Sequence, residues 1–138
     1  MSEQQNIEMI RRGYELFGRG DIDGLLGMFA ANIDWTSPGP PDLMTAGQRR
    51  GHAQVREFFR AVHDLYDMQS FEPMDFIAKG DRVVVLGRDT AKVRASGKTI
   101  SEMWAHVFTI RDGKVVAFVE YLDTSAVVAE LRRVHARV

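Results

Sequence analysis

Apolar residues recur every three or four positions at Ile7, Ile10, Tyr14 and Phe17, with charged residues between them, which predicts an amphipathic helix. Gly18 and Gly20 end it, and Asp21 is placed to cap a second helix holding Ile22, Leu25, Leu26, Met28 and Phe29. Ile33-Asp34-Trp35-Thr36 then alternates as a short strand with Ile33 and Trp35 on one face. The run Ser37-Pro38-Gly39-Pro40-Pro41-Asp42 cannot extend it, so a long loop reaching to about Gly51 is expected. Helical spacing returns at Val55, Phe58, Phe59, Val62 and Leu65.

Beyond Asp67 the period changes to two. Phe71 to Ala78 reads as a strand, with Pro73 marking an edge position or a bulge. Lys79-Gly80-Asp81 is a turn, a strand follows from Val83 to Val93, and Ala95 to Lys98 is a second turn. Two strands then flank Arg111-Asp112-Gly113-Lys114, one from Trp104 to Ile110 and one from Val115 to Asp123. Asp123 or Thr124 can cap a closing helix through Val127, Val128, Leu131 and Val134. No linker, repeat or low-complexity segment interrupts the series, so residues 1–138 read as one domain of the α+β class.

The chemistry concentrates in the last hairpin, where His106 and Glu120 interrupt otherwise apolar strands. Burying a carboxylate or an imidazole costs several kcal/mol, roughly, unless it is paired. Alternation puts Glu102, Trp104, His106, Phe108 and Ile110 on one face. A two-residue Asp112-Gly113 loop would oppose His106 to Val119. A three-residue loop would oppose it to Phe118 and gather Trp104, His106, Phe108, Phe118, Glu120 and Leu122 on one surface, with Glu120 diagonal to His106. The second arrangement is preferred. In the preceding strand a four-residue turn would face Gly87 to His106, leaving room for a ligand, and Asp89 to Trp104; a turn of different length would bring Arg88 inward.

Composition narrows the function classes. The net charge of −1 offers no footprint for nucleic acid or an anionic membrane surface. Cysteine is absent, which removes disulfides, thiolate catalysis and sulfur-ligated zinc. No apolar run is long enough to span a bilayer, and the first residues lack the pattern of a signal peptide, so a cytoplasmic location is the default expectation. No histidine pair has metal-ligand spacing; His52 and His63 sit among polar neighbours and read as solvated. The seven methionines, Met68, Met74 and Met103 among them, suit an adaptable apolar lining.

Several segments together carry a resemblance to a known family. They are Tyr14-Glu15-Leu16-Phe17-Gly18-Arg19-Gly20-Asp21-Ile22, Met28-Phe29-Ala30, Ile33-Asp34-Trp35 leading to Pro38-Gly39, Gly97-Lys98, His106-Val107-Phe108, Asp112-Gly113-Lys114-Val115 and Tyr121-Leu122-Asp123-Thr124. The chain resembles the nuclear transport factor 2-like superfamily, in its SnoaL-like and ketosteroid isomerase-like branch. The resemblance implies a cone of three N-terminal helices packed in a strongly curved, mostly antiparallel sheet, with a short C-terminal helix. It also implies a deep apolar pocket and frequent homodimers.

Carried over by position, His106 falls where ketosteroid isomerases place the protonated acid of their oxyanion hole. The oxyanion tyrosine falls on Gly13, and the general-base aspartate falls on or near Ser37, so that machinery is not reproduced. Glu120 matches the acid/base carboxylate of SnoaL-type polyketide cyclases, with Phe118 in place of a histidine often found two residues earlier. Limonene epoxide hydrolases use an Arg-x-Asp pair, whereas Arg88 and Asp89 are adjacent and face opposite ways.

The expectation is therefore a cofactor-independent, metal-free isomerase or cyclase acting on an apolar carbonyl compound. Glu120 and His106 would be catalytic, and Tyr14, Trp35, Phe58, Asp89, Trp104, Phe108 and Phe118 would bind substrate. Competing readings are a non-catalytic module that binds a small molecule or dimerises, and epoxide hydrolysis.

Overall fold

The computed structural model of the chain describes residues 2–135. Helix α1 (Glu3–Gly18) starts from a reciprocal cap: Gln5 N–H donates to Ser2 Oγ at 3.1 Å, and Ser2 N–H donates to Gln5 Oε1 at 2.8 Å. Asp21 Oδ1 accepts from Gly24 N–H and caps α2 (Ile22–Leu26). This helix is shorter than its pattern suggests. Met28 lies in the turn after it and Phe29 already opens β1 (Phe29–Ser37), which is correspondingly longer than Ile33–Thr36.

The expected loop after Ser37 contains a further strand, β2 (Gly47–Arg50), which folds back on β1 and pairs Arg49 with Trp35. Gly-Gln-Arg-Arg has no apolar alternation, so only its partner makes it a strand. Helix α3 (Gly51–Leu65) follows directly, and β3 (Tyr66–Lys79) starts where α3 stops, earlier than Phe71. Strands β4 (Arg82–Val93), β5 (Thr99–Arg111) and β6 (Lys114–Leu122) and helix α4 (Ser125–His135) complete the described chain. His52 is half-buried rather than solvated, and its Nε2–H donates to the Phe29 carbonyl at 2.9 Å.

The six strands lie in the order β2-β1-β6-β5-β4-β3, and only β1 and β6 run parallel. Pro73 sits on the edge strand β3, where its missing N–H costs nothing, and Gln69 and Met74 are extra residues in that ladder. A third extra residue, Val116, stands in β6 between Val115 and Ala117. Such bulges bend a sheet. The curled sheet packs Val83, Val85, Trp104, Phe108 and Phe118 against Ile10, Leu25, Leu26, Val55 and Phe58 of the helices. A smaller cluster of Leu43, Leu65, Val93, Ile100 and Val127 ties down α4 and the long loop. Among the described residues no helix is long and apolar enough to cross a membrane.

The β5–β6 turn combines features of both expected loops. Asp112 and Gly113 have φ of 51° and 73°, a two-residue turn suited to the twist of a hairpin. Alone it would oppose His106 to Val119 and send Glu120 to the outer face. Val116 reverses that outcome. Past the bulge Phe108 pairs with Phe118, and His106 pairs directly with Glu120 rather than diagonally. In β4 the turn is displaced, so Gly87 faces Trp104 instead of His106, and Asp89 faces Glu102 instead of Trp104. No ligand space opens over Gly87, because the Trp104 indole occupies it. Arg88 is exposed on the outer face, 3.4 Å from Glu72.

Candidate functional site

Between the curled sheet and helices α1 to α3 lies a cavity of about 110 Å³. An apolar cavity of about 150 Å³ accepts a benzene-sized ligand, so this space suits a single ring. Of the residues expected to meet a ligand, Tyr14, Trp35, Phe58, His106, Phe108, Phe118 and Glu120 all border it. Trp104 and Asp89 do not. Trp104 is sandwiched between Phe71 and His106, with ring centroids 4.9 and 4.0 Å away. Asp89 stands behind the lining, beside Glu102. Met68 borders the cavity, whereas Met74 and Met103 are exposed on the outside of the sheet.

The polar groups form one line across this apolar wall. His106 is 6 % exposed, and both its ring nitrogens are engaged: Nδ1 lies 2.7 Å from Tyr14 Oη, and Nε2 lies 2.9 Å from Glu120 Oε2. Burial first, and then the nearby Glu120 charge, push the Tyr14 phenol well above its ordinary pKa. Tyr14 therefore keeps its proton; with its hydroxyl donating to Nδ1, the Nε2–H of His106 donates to Glu120 Oε2. Tyr14 comes from α1 and reaches the sheet by helical spacing; the other two are cross-strand partners only because of Val116. The indole N–H of Trp35, also on the wall, has no acceptor within the described residues. The ring itself stacks on Phe118 at 3.8 Å.

Several lining residues were not evident from the pattern. Tyr66 sits where α3 passes into β3, a junction without periodicity, and Thr45 comes from the loop before β2. Glu102 shares the His106 face, and that alternation is the signal that identifies it. Its Oε1 is buried without a partner. Burial, followed by the charges of Asp89, Glu120 and Asp123, raises the Glu102 carboxyl to about 7. Burial and Glu120 raise Asp89 to about 6. The same carboxylates add to burial in pushing Tyr66 upward.

Raised carboxyl pKa values favour folding while the groups are protonated, and that contribution is lost as pH climbs through about 6 to 7. Discounted for their partial exposure, the two groups should make the protein about 2 kcal/mol less stable at pH 8 than at pH 5. Glu102→Gln should remove roughly half of that slope and be more stable than the parent at pH 8. Urea unfolding of both proteins at the two pH values measures this; equal slopes would refute it.

The SnoaL-like domain profile matches residues 10–118. No protein of curated function matches the chain. Among solved structures, an NTF2-like protein from Burkholderia xenovorans LB400 is 35 % identical with a TM-score of 0.84, covering 94 % of this chain and 97 % of that one. An NTF2-like protein of unknown function from Burkholderia pseudomallei K96243 is 32 % identical, TM-score 0.79, over 97 % and 98 % of the two chains. TerC, co-crystallised with polyporic acid, is 33 % identical, TM-score 0.79, over 94 % and 98 %. Sequence profile and curled-sheet architecture agree, and the chain belongs to the SnoaL-like domain family of the NTF2-like fold.

Proposed function

We propose that this chain is a cofactor-independent acid/base enzyme, of isomerase or cyclase type, acting on a small apolar carbonyl compound. The observation that carries this reading is the hydrogen-bonded line Tyr14–His106–Glu120 along an otherwise apolar cavity. Glu120 takes a proton from the carbon next to the carbonyl, and the electron pair of that C–H bond moves to the carbonyl oxygen as an enolate. The acid form of Glu120 then returns the proton to another carbon, or the enolate carbon closes a ring on a second carbonyl carbon in the same molecule, whose oxygen takes the C=O π electron pair and then the proton from Glu120. Trp35 N–H, unpartnered among the described residues, is the donor on the wall for the developing oxyanion. With both nitrogens engaged, His106 is a positioning residue: it holds the carboxylate and links it to the phenol.

A small-molecule ligand is further supported by the crystallisation of TerC with polyporic acid. The test is deuterium uptake at the benzylic carbon of phenylacetone in D2O, followed by proton NMR. Faster uptake with the protein than in buffer is expected. Binding of the ketone with no gain in exchange would favour the non-catalytic binding module, a reading to which the small cavity lends weight. Epoxide hydrolysis is disfavoured, since Arg88 lies on the outer face with Glu72.

The same proposal includes a homodimer. Leu86, Ala105 and Tyr121 are in register across the outer face of β4, β5 and β6, beside Met103, which is 83 % exposed. A second copy of equal character would cover this patch. Light scattering should give twice the chain mass, and Met103→Glu should give monomers.

A further inference from the structure

The aromatic cavity continues outward. Phe17, Phe59, Val62, Tyr66 and Met68 line both it and a more open cleft of about 460 Å³. The rest of the wall is Gly20, Ile22, His63 and three arginines. Arg56, Arg60 and His63 share one face of α3 at i, i+4 and i+7, and Arg94 joins them from the β4–β5 turn. No carboxylate is among the described residues lining this space. Arg56 leans on Asp23, but Arg60 has no ion-pair partner among the described residues. Arg94 is oriented by its Nε–H, which donates to the His63 carbonyl at 2.7 Å and the Tyr66 carbonyl at 3.1 Å. That anchoring at the end of α3 leaves the outer nitrogens of its fork uncommitted.

Arg60 and Arg94 have no counter-charge among the described residues, and the planar fork of a guanidinium matches the geometry of carboxylate and phosphate. We propose that this cleft is an anion-binding vestibule, which holds the carboxylate or phosphate of an amphipathic small molecule whose apolar ring enters the inner cavity. The proposal rests on the reading of that cavity as a ligand site and adds a charged end to the substrate class. It also supplies an orientation. Asp89, Glu102 and Glu120 lie on the sheet side of Tyr66, where they repel an anion, while the arginines lie on the side open to solvent. The ring and its reactive carbon therefore enter first, toward Glu120, and the anionic end stays outside.

Three probes with one apolar body test this: 6-phenylhexanoate, 6-phenylhexyl phosphate and 6-phenylhexan-1-ol, titrated calorimetrically at low and high salt. At low salt at least one anion should bind about tenfold tighter than the alcohol, and the tighter anion identifies the group. High salt should shrink that advantage. Arg60→Glu, at an exposed position, should abolish it, whereas Arg82→Glu, exposed at the far hairpin, should leave it unchanged. Equal binding of all three probes would overturn the vestibule and leave the inner cavity standing. Failure of all three to bind would overturn both. An anion preference that survives Arg60→Glu, in protein whose circular dichroism shows it folded, would also overturn the proposal.

Discussion

Glu120→Gln should slow α-proton exchange about a thousandfold, within the range contributed by a well-placed general base. The amide oxygen can occupy the place of Oε2 and accept from His106 Nε2, so the hydrogen-bonded line survives. It cannot take a proton from carbon. With Tyr14 donating to Nδ1 and Nε2–H donating to position 120, the variant keeps both hydrogen bonds, and stability should change by less than about 1 kcal/mol. Tyr14→Phe behaves differently. It removes the hydroxyl at Nδ1 and, among the described residues, leaves a buried acceptor without a donor, at a cost of roughly 1–3 kcal/mol. Exchange measured by NMR, together with urea unfolding, separates the outcomes. Wild-type exchange in Glu120→Gln would remove Glu120 as the base, and unfolding of that variant would show that its pairing is structural.

Gly87→Ala should destabilise the fold by about 3 kcal/mol, at the upper end of overpacking effects. A Cβ at this position would lie 2.3 Å from two atoms of the Trp104 ring and 2.7 Å from the Glu72 carbonyl oxygen. The first contact requires the indole to move; the second is with backbone inside a ladder and cannot yield cheaply. Trp104 is also stacked on His106, at an interplanar angle of 15°, so its displacement reaches the hydrogen-bonded line. Denaturant midpoints and the near-ultraviolet tryptophan spectrum should both shift. If Gly87→Ala keeps parental stability and spectrum, the close fit of Trp104 over Gly87 is wrong.

The helices and the long strands were legible because each has a clean period: Ile7, Ile10, Tyr14 and Phe17 for a helix, and Trp104, His106, Phe108 and Ile110 for a strand. The inward set of the last hairpin was also legible, since it depends on parity alone. Its pairing was not. A two-residue turn plus one extra residue gives the same parity as a three-residue loop, and Val116 looks like any other valine in an apolar run. The Tyr14–His106 contact links α1 to β5 and leaves no trace in either local pattern. Gly87 shows the converse difficulty. A missing side chain can signal space for a ligand or close approach by a neighbour, and only the β4–β5 register decides which. The polar strand β2 takes its identity wholly from β1.

The parallel seam of β1 with β6 sets Trp35 beside Phe118 and so stitches opposite ends of the chain into the middle of the sheet. Local hairpins among β3, β4, β5 and β6 can zip up as soon as they exist, but this closure waits until the chain has reached β6. Until then Trp35, Phe118 and the floor on which Glu120 stands remain open to water. A nascent chain halted short of β6 would thus carry a finished set of early helices wrapped around nothing, a sticky half-shell that the last strand alone can seal.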